Sequence, residues 1–202
     1  MPSRSELRQH CRNARAALDV NTRNSASHAI TAHLAASAHF ANACRVAIYW
    51  PIAHEVDLRG LLSSPSADTH VFYLPCMTAA RTLEFRRFND SAELTYNSWG
   101  IAEPPEEAGP PIATQTLDLV CVPLLGFDRS GNRLGQGGGF YDRTFAFRRE
   151  RGTAGPLLIG TAFACQEVAV LEHAPWDVPL DAVVTEQGLI DCRPDAQRRN
   201  TR

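Results

Sequence analysis

No stretch of the 202-residue chain approaches the roughly 18 consecutive apolar residues that a membrane-spanning helix requires, and its opening, MPSRSELRQH, lacks the apolar core of a secretion signal. A membrane span is therefore not expected, and the default is a soluble cytoplasmic protein. There is no excess of either charge: 20 basic residues face 22 acidic ones, for a net −2. That balance supplies no global field for a nucleic-acid backbone, so nucleic acid is not an expected partner. The six cysteines lie at least 27 residues apart, with no CxxC pair and no clustering with histidine, which argues against zinc and against a disulfide framework. Cys44, Cys121 and Cys165 sit beside apolar residues and are expected to be small buried thiols. The seven histidines are scattered, and none is assigned to catalysis.

What is present is ordinary globular composition, 44% hydrophobic and 21% charged. The length favours one domain, taken as residues 1–192, followed by a polar tail at 193–202. Leu7, Cys11, Ala14 and Leu18 recur on one stripe, predicting a helix over 4–18 with a basic opposite face. A second helix is predicted over 24–39, capped by Asn24 or Ser25. Six short β-branched or aromatic runs at 45–51, 70–75, 83–88, 117–123, 157–163 and 181–186 read as strands, with helical patterns near 55–63 and 139–149. Several runs are apolar throughout, as in strands covered on both faces, so the expected fold is α/β, three layers around a mostly parallel sheet. Residues 98–116 carry Pro104, Pro105, Pro110 and Pro111 with little periodicity and read as a loop, either a binding segment or a surface excursion.

The chemistry concentrates at Arg133–Arg143, RLGQGGGFYDR, between a buried strand and a helix. Gly135, Gly137, Gly138 and Gly139 let successive backbone N–H groups converge on one point, and a following helix N-terminus adds partial positive charge there. An anion, most simply a phosphate chain, fits. No Gly-Lys-Ser/Thr closes the loop, and the dinucleotide fingerprint fails at Phe140. Arg133 and Arg143 flank the glycines and suit phosphate recognition. Asp142 beside such a cradle is either a Mg²⁺ ligand or a helix N-cap.

With VPLLGFDRSGNRLGQGGGFYDR in view, the chain resembles the 5-formyltetrahydrofolate cyclo-ligase family. The resemblance extends to SELR near the start, YWPIAHEVDL at 49–58, SWGIAEP at 98–104 and PWDVPLDAVVTEQG at 175–188. It implies a three-layer α/β fold related to sugar-phosphate isomerases and CoA transferases. It also implies Mg·ATP-dependent cyclisation of 5-formyltetrahydrofolate, polyglutamylated or not, to 5,10-methenyltetrahydrofolate through a phosphorylated formyl group, by a monomer. On the family's pattern, Arg4, Ser5, Glu6, Leu7 and Arg8, with Arg133, Leu134, Gly135, Gln136, Gly137, Gly138, Gly139, Phe140 and Tyr141, bind ATP. Arg8, Trp50, Glu55, Trp99, Gln136, Gly137, Gly138, Gly139 and Phe140 contact the folate, Arg133 and Asp142 act in catalysis, and Asp142 and Asp177 hold Mg²⁺.

Each assignment has a plainer alternative from spacing alone. Arg4 and Arg8 at i, i+4 could be a solvated face, Glu55 a solvent-facing residue opening the 55–63 helix, Asp177 a turn cap, and Trp99 a core residue. Four residues depart from the family pattern: Arg4 stands where lysine is common, Phe140 replaces a tyrosine, Leu58 a frequent threonine, and Trp176 a histidine whose hydrogen bond is then missing. Two other functions stay open, a non-catalytic folate- or nucleotide-binding regulator and a sugar-phosphate or CoA-ester enzyme sharing only the fold.

Overall fold

A computed structural model describes residues 2–64, 67–88, 93–150 and 155–193; most of the expected polar tail lies outside the described residues. The first helix, α1 (Arg4–Ala16), starts at a reciprocal cap: Ser3 Oγ accepts Glu6 N–H at 3.2 Å while Glu6 Oε2 accepts Ser3 N–H at 2.7 Å. The second, α2 (Val20–Ala35), begins four residues earlier than the sequence suggests. Its cap is Asp19, whose carboxylate takes the Thr22 N–H at 2.9 Å and the Thr22 hydroxyl at 2.7 Å. The same pattern breaks at Ser37, whose hydroxyl bonds to Leu34 O and accepts Phe40 N–H, so that a separate turn, α3 (Ala38–Ala41), follows.

The chain then passes through β1 (Arg45–Ala47), a 3₁₀ turn at Arg59–Ser63, β2 (Val71–Met77) and β3 (Leu83–Phe88). The expected helix at 55–63 is only this short 3₁₀ turn. Within the proline-rich stretch, β5 (Ala102–Glu103) pairs with β4 (Thr95–Tyr96), and Ile112 bridges to Phe85, so the segment is pinned to the sheet rather than free. Arg86 Nη1 reinforces this by donating to Glu106 O and Gly109 O, each at 3.3 Å. Next come β6 (Leu119–Pro123), the hairpin β7 (Gly126–Phe127) and β8 (Arg133–Leu134), short helices α4 (Phe140–Thr144) and α5 (Phe147–Glu150), and strands β9 (Leu157–Thr161), β10 (Ala182–Thr185) and β11 (Gly188–Asp191).

Seven strands form the main sheet in the order β11-β10-β9-β6-β1-β2-β3, the inner five parallel and both edge strands antiparallel. Alternate residues of one strand feed opposite cores. Leu119 and Cys121 of β6 join Ile30 and Leu34 of α2 and Phe40 of α3, whereas Val120 and Val122 join Phe85, Phe127 and Phe145. Two-sided burial is why these strands read as continuous apolar runs. The fold class is therefore the expected one, a mostly parallel sheet between helical layers. Cys11, Cys76 and Cys121 are buried, but Cys44 and Cys165, expected inside, are exposed because they lie on a loop before β1 and on a 3₁₀ turn after β9. None of the six forms a disulfide.

Candidate active site at the carboxyl edge of the sheet

In a parallel sheet the segments leaving the strand carboxyl ends gather on one edge, where ligand crevices form. Here those segments are 48–58 after β1, 78–82 after β2, 124–139 after β6 and 162–180 after β9. They carry most of the residues singled out from sequence.

The β7–β8 hairpin delivers the glycine loop. Its turn is held by Asp128, whose Oδ1 accepts the N–H groups of Ser130 and Asn132, and by Gly131 at φ +85°, where a Cβ would sit 2.5 Å from Leu180 O. Beyond buried Arg133 and Leu134, Gly137 (φ +105°) and Gly139 (φ +66°) take left-handed backbone that side chains disfavour. Gly139 is also the N-cap of α4, so the N-cap alternative for Asp142 does not hold.

Above the loop lies α1. Cys11 is fully buried against Gly126, so close that a Cβ there would be 2.8 Å from its Sγ. That contact aims a stripe of three arginines at the loop. Arg8 Nε donates to Gly135 O at 3.0 Å, Arg12 Nη2 to Gln136 Oε1 at 3.0 Å, and Arg4 Nη1 reaches Asp177 Oδ2 at 3.0 Å and Glu172 O at 3.2 Å. Burial and its like-charged neighbours Arg4 and Arg12 lower the pKa of Arg8, while Asp177 opposes this. Arg4 and Arg8 are thus not a plain solvated face. Glu6 spends its carboxylate on the helix cap, and the N–H groups of Glu6 and Leu7 are taken by Ser3 Oγ and Ser3 O, while Ser5 is exposed beside them.

The two arginines flanking the loop behave differently from its neighbours on α1. Arg133 turns inward, pairing with Asp142 Oδ1 at 2.5 Å and donating to Val178 O, and burial lowers its pKa while Asp142 and Asp177 oppose that. Arg143 folds back, donating to Arg81 O at 2.8 Å and to Gly138 O, with its guanidinium 5.7 Å from the Phe140 ring centroid. Asp142 Oδ1 also accepts Val178 N–H at 3.1 Å. Asp177 Oδ2 accepts Ala174 N–H at 3.0 Å, so it does cap a turn as well as pair with Arg4. Each carboxylate is anchored through one oxygen, and among the described residues the other, Asp142 Oδ2 or Asp177 Oδ1, accepts no hydrogen bond. No group of three or more His, Cys, Asp or Glu able to hold a metal occurs among the described residues. Two carboxylates with free oxygens nevertheless suit Mg²⁺, which keeps several waters and completes its shell on substrate phosphates.

Glu55 is not solvent-facing. Its side chain is 8% exposed, with Oε1 4.0 Å from Arg15 Nη1 and Oε2 accepting Ile52 N–H at 3.2 Å. Burial raises its pKa, and the Ile52 hydrogen bond and Arg15 pull it back. Tyr49, bonded to Val56 O and to Thr161 Oγ1 at 2.9 Å each, and Tyr141 face the same carboxylate; burial and then Glu55 raise both phenols. Arg15 escaped the sequence reading. Its signal was an arginine four residues beyond Cys11 on the buried stripe of α1, where an unpaired charge would be costly.

Trp99 is 73% exposed rather than a core residue. It lines a cleft of about 380 Å³ with Met77, Arg81, Ser98, Gly138 and Phe140. Trp50 does not line it: its ring packs edge-on to Phe88 at 5.9 Å and beneath the Arg59 guanidinium at 5.1 Å.

Comparison with known proteins decides the lineage. Residues 1–186 match the model of the 5-formyltetrahydrofolate cyclo-ligase family. The chain belongs to that family. It is 31% identical over 179 residues to the 5-formyltetrahydrofolate cyclo-ligase of Haemophilus influenzae, covering 88% of this chain and 94% of that protein. The cyclo-ligase of Escherichia coli K12 is 35% identical over 142 residues, covering 69% and 76%. Among solved structures, 5,10-methenyltetrahydrofolate synthetase of Aquifex aeolicus superimposes with a TM-score of 0.80 at 30% identity, over 95% of this chain and 93% of the other. Cyclo-ligases are ligases, and folate is the substrate class their names carry.

Proposed function

We propose that the protein catalyses the Mg·ATP-dependent conversion of 5-formyltetrahydrofolate to 5,10-methenyltetrahydrofolate, releasing ADP and phosphate. The observation that carries this reading is the arginine stripe of α1 laid over the glycine loop in a member of this family. Phosphoryl transfer asks the protein chiefly for positioning and charge neutralisation, and this arrangement supplies both. Arg4, Arg8 and the N–H groups of residues 135–139 hold the ATP phosphates, with Ser5, Glu6 and Leu7 beside them. Leu134, Gln136 and Tyr141 complete the cradle, and Arg133 holds Asp142 in place from behind. Asp142 and Asp177 would hold Mg²⁺, which when bound neutralises charge on the transferred phosphoryl group.

Glu55 accepts the paired N–H donors of the aminopyrimidine ring, and Trp50, Trp99 and Phe140 give apolar contact. The formyl oxygen attacks the γ-phosphorus and ADP leaves; N10 then adds to the activated carbon and gives up its proton, and phosphate departs with the former formyl oxygen and that proton to give the methenyl bridge. No nucleophilic serine or cysteine is needed. The reading takes the enzyme as a cytoplasmic monomer; among the described residues no helix is long and apolar enough to cross a membrane. Purified protein mixed with 5-formyltetrahydrofolate and Mg·ATP should produce methenyltetrahydrofolate absorbance and ADP in equal amounts. Folate binding without turnover would instead favour a regulator on the same fold, and no binding of folate or ATP would refute the site.

A further inference from the structure

The loop that carries Glu55 is held from three sides. Glu55 N–H donates to Ile52 O at 3.1 Å while its Oε2 accepts Ile52 N–H, closing a tight turn in which Ala53 takes φ +50°. Left-handed backbone at a residue other than glycine persists only where the surroundings over-determine it. Just after Glu55 they do. Two side chains of α2 hold Asp57: Ser27 Oγ accepts its N–H at 3.2 Å, and Thr31 Oγ1 donates to its carbonyl at 3.4 Å. Val56 is held from the interior, where its carbonyl accepts the Tyr49 hydroxyl at 2.9 Å.

Tyr49 follows β1, and its hydroxyl also lies 2.9 Å from Oγ1 of Thr161, the last residue of β9. Because β6 separates β1 from β9 in the sheet, the phenol spans that strand to reach Thr161. Counting hydrogens fixes the direction of the bonds. A phenol has one proton, and Val56 O, reached by no other donor among the described residues, takes it; Thr161 therefore donates to the phenol oxygen. Tyr49, Val56 and Thr161 are 3%, 2% and 2% exposed, so water does not stand in for either bond. The result is a directed chain, Thr161 to Tyr49 to Val56, that runs from β9 to the residue next to Glu55.

We propose that Tyr49 is a positioning residue for the folate: through Val56 it sets where the Glu55 carboxylate meets the pterin ring, and Thr161 orients its proton for that task. The inference rests on the reading of Glu55 as the pterin contact and deepens it, because it names what fixes that contact in place. Paired hydrogen bonds to one carboxylate depend on alignment as well as charge, so a small displacement of Glu55 weakens both. Loss of one hydrogen bond between neutral groups corresponds to about fivefold in affinity, and that is the scale of effect expected for folate. ATP, held by α1 and the glycine loop in the same reading, should not sense the change.

The test compares wild type, Tyr49→Phe, Glu55→Gln and the double variant as full chains, with KM measured for 5-formyltetrahydrofolate and for Mg·ATP. A wild type that does not turn over overturns the parent reading and the tether together. An active wild type whose folate KM is unmoved by Glu55→Gln overturns the pterin contact, and the tether with it. Where Glu55→Gln does raise the folate KM, Tyr49→Phe should raise it about fivefold and leave the KM for ATP unchanged. Added to Glu55→Gln, whose paired contact is already lost, it should add less than about twofold. An unchanged folate KM in Tyr49→Phe overturns the tether alone. So does a parallel rise in the KM for ATP, or the full effect in the double variant, since either marks a phenol that only supports the core. Thr161→Ser keeps the hydroxyl and should match wild type, whereas Thr161→Val should raise the folate KM about twofold. This second pair carries the test if Tyr49→Phe, which strips two buried oxygens of their partner, does not fold; equal folate KM in the serine and valine variants overturns the chain from β9.

Discussion

Arg15→Met tests the buried pair behind the proposed pterin contact. Arg15 and Glu55 have side chains only 7% and 8% exposed, and their charged atoms lie 4.0 Å apart. Removing one member of a buried pair costs about 3–5 kcal/mol, because the remaining charge is left in a poor solvent. The separation is at the outer limit of an ion pair and Glu55 keeps the Ile52 N–H, so the low end, about 3 kcal/mol, applies. For a chain of this size that is a fall in unfolding temperature of about 6–12 °C.

The sign of the pH dependence follows from Glu55. Burial already holds its pKa above the ordinary 4.5, with the Ile52 hydrogen bond and Arg15 acting in the opposite direction. An acid raised in the folded state adds stability that is complete below its unfolded value and is lost as pH rises through the folded one. Without Arg15 the folded pKa moves higher still, so the penalty of the variant should be largest near pH 8 and shrink toward pH 5. The acid limb of kcat/KM for folate should move to higher pH in parallel, since the protonated carboxyl no longer accepts both ring donors. Thermal unfolding and pH–rate profiles of wild type, Arg15→Met and Glu55→Gln make the comparison. An unfolding penalty equal at pH 5 and pH 8, with superimposable rate profiles, would refute the reasoning.

Asp142→Asn retains one oxygen acceptor for Arg133 and Val178, both of which bond to Oδ1, but removes the negative charge beside a buried guanidinium. It should lower stability by about 2 kcal/mol and raise the Mg²⁺ concentration needed for half-maximal rate more than about tenfold, read by denaturant unfolding and Mg²⁺ titration. Arg4→Leu breaks a pair whose arginine is 36% exposed, so stability should change by less than about 1 kcal/mol while the KM for ATP rises severalfold in steady-state assays. Gly138→Val would put a Cβ 2.8 Å from the Phe140 ring, displacing a shared wall of cradle and cleft. ATP affinity measured by calorimetry should then fall, and unchanged affinity would remove the loop from the phosphate site.

The edge strand at 83–88 was legible to the residue through its alternation of buried Leu83, Phe85 and Phe88 with charged residues, and the inner strands β6, β9 and β10 were located because burial on both faces of a sheet writes itself as uninterrupted apolar residues. Helix limits were less legible. Asp19 outcompetes Asn24 as a cap through two bonds to Thr22, and Ser37 interrupts an alanine-rich run whose propensity alone would have continued. The tiny β4–β5 pair has no periodicity to read, and β11 is recognisable only through its partner β10.

By itself the sequence determined that the chain is α/β, that a glycine-rich loop follows a buried strand, and, through whole-chain resemblance, to which family it belongs. These depend on local residue type and order. Tertiary structure alone decided which arginines face the cradle. Arg133, adjacent to the glycines, is turned into the interior by Asp142 and Val178, while Arg8 and Arg12, more than 120 residues away in the chain, lie on the loop. It likewise decided that Glu55 is buried against Arg15 and that Arg81 borders a cleft shared with Trp99 and Phe140. The physical reason is that a long charged side chain has no preferred direction until packed neighbours and distant partners fix where its charge can be neutralised.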